Sequence, residues 1–388
     1  MKVSRLIKST VVVVSALSIA IAPNAFAGTT LAAGGATSVT NLVQACKSFY
    51  NTDTGDSFPY NSVGSGQGQK DLEGKKIDFA FSDSTHLKSQ SGIAIDANEI
   101  HIPAMVWALG VMTNLNTSKP IALSPKTIGG IFSGKITRWN DPAIVADNNR
   151  TVTVTVYKKD KAGKIVKDKT GKAEVLRTNT VTQKISMPNQ PITVVYRLDS
   201  SGTTDNFTAA LKSLDPTNFT DAGKVFNALA STKAAIAADP IHFQSASGSA
   251  LVASLAAKTK YSITYNETNY AKSAGLKLVQ VINPNGDLVP ATDDGAAAFV
   301  STSDIAANGT VALDYTNKNP GVYPFTVVTY ALASTNYGDA TKAAAVKKAI
   351  EYHAFTCTKK VADSGFITID PTSPLGKKIT TQLAKLGK

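Results

Sequence analysis

Three short turns of the chain mix glycines with hydroxyl side chains: Gly34-Gly35-Ala36-Thr37-Ser38, Gly64-Ser65-Gly66-Gln67-Gly68 and Ser200-Ser201-Gly202-Thr203-Thr204. Each can present backbone N–H groups and hydroxyls at the N-terminus of a following helix. Such an end favours an anion through hydrogen bonding and through the helix dipole. Taken singly, each turn is an ordinary turn and helix cap. Three in one chain, with Arg197 just ahead of the third, point to one convergent oxyanion site. The planar fork of Arg197 can donate two parallel hydrogen bonds to a tetrahedral oxyanion.

Two carboxylates complicate that site. Asp83 ends the run Phe79-Ala80-Phe81-Ser82, and Asp199 follows Arg197 by two residues. A carboxylate beside an anion is repulsive unless the ligand brings it a proton. Phosphate at neutral pH carries at least one proton, whereas sulfate carries none. Asp83 can alternatively serve as a helix N-cap, and Asp199 is expected to form a salt bridge that orients Arg197.

The elements that must position these residues alternate along the chain. Strands are expected at 77–81, 102–111, 192–197, 261–265, 276–282 and 324–330, and helices at 39–49, 207–214, 250–257 and 341–355. This alternation predicts an α/β fold with largely parallel sheets, which bind ligands at the carboxyl ends of their strands. The first 27 residues read as a secretory signal, with basic Lys2, Arg5 and Lys8, an apolar run at 11–21 and a small-x-small site at Ala25-Phe26-Ala27. No Cys follows the apolar run, so no lipid anchor is expected, and the product is periplasmic or secreted. The remaining chain of about 360 residues exceeds the size at which one core stops growing, which predicts two lobes. Cys46 and Cys357 are the two cysteines. Export permits a disulfide between them, with two independent buried thiols as the alternative.

The formal charge is +12, and the signal supplies three of those positives, leaving +9. Residues 151–190 hold nine cations against three acids, a net of +6. Within them Lys159-Asp160-Lys161-Ala162-Gly163-Lys164 recurs as Lys167-Asp168-Lys169-Thr170-Gly171-Lys172, after an alternating Thr/Val run. The pattern predicts an exposed β-hairpin with a Gly-bearing turn. No aromatic platform interleaves the lysines, so a solvated loop is favoured over a nucleic-acid contact.

Rival chemistries are weaker. Gly129-Gly130-Ile131-Phe132-Ser133-Gly134-Lys135-Ile136 approaches a nucleotide-binding P-loop, but Ile136 stands where Ser or Thr is required. The four histidines, His86, His101, His242 and His353, are too scattered for a metal site or a catalytic triad. His86, close after Asp83, keeps a phosphatase-like hydrolase as the enzymatic alternative. A surface-binding or adhesion protein using the lysine-rich hairpin is a third reading.

Five stretches, in this order, resemble the phosphate-binding proteins of the high-affinity phosphate ABC transporter, the PstS family. They are 34–38, 64–68, Ile77-Asp78-Phe79-Ala80-Phe81-Ser82-Asp83, Ile131-Phe132-Ser133-Gly134-Lys135-Ile136-Thr137-Arg138-Trp139-Asn140-Asp141-Pro142, and Arg197-Leu198-Asp199-Ser200-Ser201-Gly202-Thr203-Thr204. The resemblance implies a phosphate held by Thr37, the Ser38 backbone, Ser65, Asp83, Arg197, Ser201, Gly202 and Thr203, with Asp199 in support. It implies a two-lobed periplasmic-binding-protein architecture with two crossing segments. Lobe I is expected at 28–108 and 326–388, and lobe II at 109–325. The implied protein is a non-enzymatic monomer with no cofactor, metal or nucleic acid, whose partners are inorganic phosphate and the membrane subunits of an ABC importer. Ser38 departs from the family, which has an aromatic residue there, and the basic excursion is longer than the family's.

Overall fold

The computed structural model describes residues 28–161, 165–169, 173–361 and 363–387, so the expected signal at 1–27 lies outside the described residues. The chain begins β1 (Ala33–Gly35), α1 (Thr40–Thr54), β2 (Tyr60–Ser62), α2 (Ser65–Glu73), β3 (Phe79–Ser82) and β4 (Glu99–Thr113). It continues through β5 (Ala122–Leu123), α3 (Pro125–Phe132), α4 (Pro142–Asn148), β6 (Asn149–Tyr157), β7 (Val175–Lys184), β8 (Thr193–Arg197) and α5 (Gly202–Leu214). Then come α6 (Lys233–Ala238), β9 (Phe243–Ala246), α7 (Ser249–Lys258), β10 (Ser262–Glu267), α8 (Asn269–Ala274), β11 (Lys277–Leu278), β12 (Gln280–Ile282) and β13 (Leu288–Val289). The last elements are α9 (Asp293–Val300), β14 (Thr326–Ser334), α10 (Ala340–Tyr352) and, at the C-terminus, a helix at Pro374–Leu383.

One continuous sheet runs β2-β1-β3-β14-β4-β10-β8-β9, with β11 also on β4. Its flanks are parallel: β1 pairs with β2 and β3, and β8 pairs with β9 and β10. Its middle is antiparallel, because β14 runs against both β3 and β4, and β4 runs against β10. The expectation of largely parallel sheets is therefore corrected to a mixed sheet. The physical reason is the long strand β4, which is buried from Ile100 to Thr113. It pairs with β14 as far as Ala108 and with β10 from Leu109 onward, so a single strand serves both flanks. A strand covered on both faces reads as a nearly continuous apolar run, which Ile100 to Met112 is.

The basic segment forms the expected hairpin. β6 and β7 pair from Asn149↔Lys184 to Tyr157↔Val175. Beyond them lie two further bridges, Lys159↔Ile165 and Lys167↔Ala173, one beside each copy of the repeat. Gly163 and Gly171, the expected turn glycines, lie outside the described residues. Lys159 reaches Asp294 on α9 at 2.8 Å, but both side chains are about half exposed, so water screens the pair.

Cys46 on α1 is bonded to Cys357, which lies in a single π-helical turn at His353–Cys357 that follows α10; the Cα atoms are 5.7 Å apart. Of the two alternatives the sequence left open, the bridge is the one formed. It ties an early helix to a late one across 311 residues. A cross-link that closes so long a loop restricts the unfolded chain strongly. Replacing both cysteines by Ala is expected to lower unfolding free energy by about 2–5 kcal/mol. Denaturant titration of oxidised, reduced and doubly substituted protein checks this; equal midpoints for all three would refute it.

Candidate functional site

Four helices start at one place. β1 ends at Gly35, and buried Thr37 and Ser38 lead into α1. β2 leads through Gly64 into α2, whose first residue is buried Ser65. β8 leads through Ser201 into α5, and β9 leads through Gly248 into α7. The three sequence-predicted turns are thus brought together, and Ser249, which sequence reasoning missed, opens a fourth. Gly64 (φ 90°, ψ 153°) and Gly248 (φ 81°, ψ 156°) cap their helices in the same left-handed backbone, which a residue with a Cβ rarely adopts. The signal was present: Ser247-Gly248-Ser249 repeats the Gly-Ser pattern of Gly64-Ser65. Each helix N-terminus contributes about 0.3–1 kcal/mol toward an anion placed before it.

The hydroxyls are oriented by what they accept. Ser65 Oγ accepts from the Asp83 N–H at 3.1 Å, and Ser201 Oγ accepts from the Thr204 N–H at 3.1 Å. Both keep their own O–H to donate. The Thr37 and Ser249 hydroxyls are 3.0 Å apart. Ser38 was expected to act through its backbone; its hydroxyl also donates to Asp83 at 2.8 Å.

Arg197, 2% exposed at the end of β8, is the cation of the site. Its Nε donates to Asp199 Oδ1 at 2.7 Å and its Nη2 to Asp199 Oδ2. Asp199 also accepts from the Gly248 N–H at 2.9 Å. Burial works against the Asp199 charge, but the Arg197 guanidinium outweighs it and holds the carboxyl below its usual range. Asp199 takes the Nε–Nη2 edge of the guanidinium, as its expected orienting role requires, and leaves the Nη1–Nη2 edge to donate elsewhere. Nη1 remains, 3.3 Å from Ser249 Oγ.

Asp83, 3% exposed, caps no helix. Its carboxylate accepts from Ser38, from Thr329 at 2.6 Å and from Thr203 at 3.2 Å. Thr329 in turn accepts from Trp107 Nε1 at 2.9 Å, so the chain Trp107, Thr329, Asp83 links β4, β14 and the end of β3. Burial pushes the Asp83 carboxyl up, and these hydrogen bonds together with Arg197 only partly offset it. Thr329 was missed because it sits within an apolar strand with no pattern to mark it. Glu267, at the end of β10, was missed as well; it is 1% exposed and lies against Thr203.

Residues 35–85 and 197–267 meet tightly here. The Gly66 N–H donates to Ser200 O at 2.9 Å, and Asn206 Nδ2 donates to Asp83 O at 2.6 Å. Gly202 is another close approach: a Cβ there would stand 2.4 Å from Ser65 Oγ and 2.8 Å from the Asp83 Cβ.

The rival motifs fall elsewhere. Gly129 and Gly130 lie in the last turns of α3, where carbonyls rather than N–H groups are left over, so no phosphate-cradling loop exists there. His86 is buried between Glu73 and Glu99, with 2.8 Å from a ring nitrogen to each. Burial opposes its charge, yet the two carboxylates raise its pKa, and neither nitrogen faces Asp83's ligand side as a free base.

A closed two-sided cleft of buried hydroxyls, helix N-termini and one guanidinium, carried on a mixed sheet that both flanks share, defines a two-lobed solute-binding protein. The chain belongs to the PBP superfamily, whose domain model matches residues 20–353. It is 27% identical over 351 residues to phosphate-binding protein PstS 3 of Mycobacterium tuberculosis, covering 88% of this chain and 82% of the relative. It is 28% identical over 299 residues to phosphate-binding protein PstS of Haemophilus influenzae, covering 75% and 74%. Among solved structures, a high-affinity periplasmic phosphate-binding protein bound with phosphate superposes with a TM-score of 0.63 at 21% identity, covering 92% and 93%. A phosphate-binding protein from Stenotrophomonas maltophilia superposes with a TM-score of 0.62 at 19% identity.

The Gly202 contact has a direct test. Gly202→Ala improves α5 by propensity but places a methyl where Ser65 and Asp83 stand. The variant is expected to keep its unfolding midpoint and to increase its radius of gyration in small-angle scattering as the two sides separate. An unchanged radius would show that the contact yields without opening.

Proposed function

We propose that this chain is an extracytoplasmic binding protein that captures inorganic phosphate for an ABC importer and performs no catalysis. The observation that carries the reading is the buried acceptor Asp83 set among donors. Ser65, Ser201, Arg197 and the N-termini of α1, α2, α5 and α7 accept any tetrahedral oxyanion. Asp83 accepts only one that brings a proton. Thr37, Ser38, Gly202 and Thr203 complete the assignment, with Asp199 orienting Arg197. The relatives' names and the phosphate in the superposed structure agree with that chemistry.

The lobes follow the same reading: 28–108 with 326–388, and 109–325. The change of β4's partner between Ala108 and Leu109 supports this division. Phosphate would meet one lobe first, and the other would swing over it, replacing its hydration shell with neutral donors. The swung-in form is the one an importer would recognise. Among the described residues no helix is long and apolar enough to cross a membrane. We place the protein in the periplasm or outside the cell, as a monomer without a lipid anchor.

Selectivity tests the proposal. On sulfate, Asp83 would face an oxygen lone pair in a desolvated site, a mismatch worth about 1–3 kcal/mol or more for charged groups. Asp83→Asn keeps the shape, removes the charge and supplies a donor. Isothermal titration of phosphate-stripped protein is expected to give phosphate but no sulfate binding for the parent, and measurable sulfate binding for Asp83→Asn. Sulfate exclusion retained by the variant would take selectivity away from Asp83; a parent that binds no phosphate would sink the reading itself.

A further inference from the structure

The cleft holds a second acceptor that the binding reading leaves unused. Glu267 closes β10, 1% exposed, and its Oε1 lies 3.4 Å from Thr203 Oγ1. That hydroxyl also reaches Asp83 Oδ2, at 3.2 Å. One hydroxyl has one proton, so Thr203 serves only one of the two carboxylates at a time. Glu267 Oε2 is buried with no hydrogen-bond partner. A buried carboxylate oxygen without a donor is costly, and the nearby Ser249 hydroxyl offsets only part of that cost.

The charges around it make the need for a proton sharper. Asp83 faces Glu267 from the end of β3, Arg197 from the end of β8, and the Tyr270 hydroxyl from α8. Arg197 is the one guanidinium of the cleft, and Asp199 already pairs with it. Two further ionised carboxylates would leave the cleft negative before any anion arrived. Burial first, and Asp83 second, push the Glu267 carboxyl up to about 7, against the pull of Arg197.

We propose that Glu267 is a second acceptor for the ligand's protons, so that the bound state holds two protons between the oxyanion and the Asp83–Glu267 pair, one on each contact. This rests on the phosphate reading and deepens it. The proton balance is simple. Above neutrality, free phosphate carries one proton and free Glu267 none, so binding takes one proton from solvent. Only O–H hydrogen bonds are made, and no covalent bond to phosphorus changes. The cleft would then select oxyanions that are, or on binding become, doubly protonated at the acceptor contacts, and its affinity would weaken as the medium turns alkaline.

The test counts protons. Phosphate-stripped full-length protein is titrated with inorganic phosphate in two buffers of different ionisation enthalpy at about pH 8.5, where uptake of about one proton per phosphate is expected. The association constant of the parent should fall about tenfold per pH unit above pH ~8. Glu267→Gln offers an amide N–H to the same oxygen without a proton, so its uptake should drop to near zero and its pH slope should flatten. Glu267→Asp retains a carboxylate and should retain the uptake with weaker binding. Equal proton uptake in the parent and Glu267→Gln, or none in the parent, overturns the proposal. If Glu267→Gln does not fold, absence of uptake in the parent still overturns the proposal, and a pH slope in Glu267→Asp displaced from the parent's assigns the proton to this position, an unchanged slope taking it away. Failure of the phosphate reading is distinguishable: the parent would then show no phosphate binding at any pH.

Discussion

Burying a carboxylate beside an anion site is the constraint on which this structure turns. A charge taken out of water is tolerated only when hydrogen bonds and opposite charge replace its hydration. Asp83 meets that condition with three hydroxyl donors from three separate parts of the chain, Ser38, Thr203 and Thr329. Each of them is itself fixed, Thr329 by Trp107 and Ser38 by its place at the start of α1. Removing any part of this set leaves a buried charge unsatisfied, which costs more than the hydrogen bond itself contributed.

The same constraint links the cleft to the architecture. Trp107 and Thr329 lie on β4 and β14, the strands that run through the middle of the shared sheet. Glu267 pairs with Leu109, the first residue of β4 beyond its β14 partners. Both acceptors are therefore held by the segment on which the two flanks would have to bend. A change of twist there would move Thr329 relative to Thr203, and so alter how Asp83 is satisfied. On the proposed reading, ligand protonation and lobe closure would draw on the same few hydrogen bonds.

Charge elsewhere plays a lesser part. The lysine-rich excursion accounts for most of the positive excess, yet the ion pair it makes with α9 is half-exposed and screened by water, while Val154 at its base packs against Ala122, Ile282 and Leu288. Its two outer bridges, Lys159↔Ile165 and Lys167↔Ala173, follow the eight-residue repeat, which is a local property of the sequence. The cleft's cation, by contrast, is buried, and its partner Asp199 takes one edge of it while Nη1 lies beside Ser249 Oγ.

Much of the cleft could be read from local signals. Glycine and hydroxyl residues before an apolar periodic run mark a helix start wherever they occur, and this found Thr37, Ser38, Ser65, Ser201, Gly202 and Thr203. The same rule applied to Ser247-Gly248-Ser249 would have found Ser249. Asp199 was expected to pair with Arg197 and does, because two residues along an extended strand end keep both side chains on one face. The alternation of strands and helices and the hairpin were equally local. What sequence could not supply was anything that depends on two distant segments meeting. The mixed middle of the sheet comes from β14 returning antiparallel to β4 over more than two hundred residues of chain. The disulfide needed the distance between α1 and the turn after α10. Thr329 and Glu267 look like unremarkable strand residues in one dimension, and only tertiary packing, which turns one toward Asp83 and leaves the other with a partnerless buried oxygen, gives them chemistry.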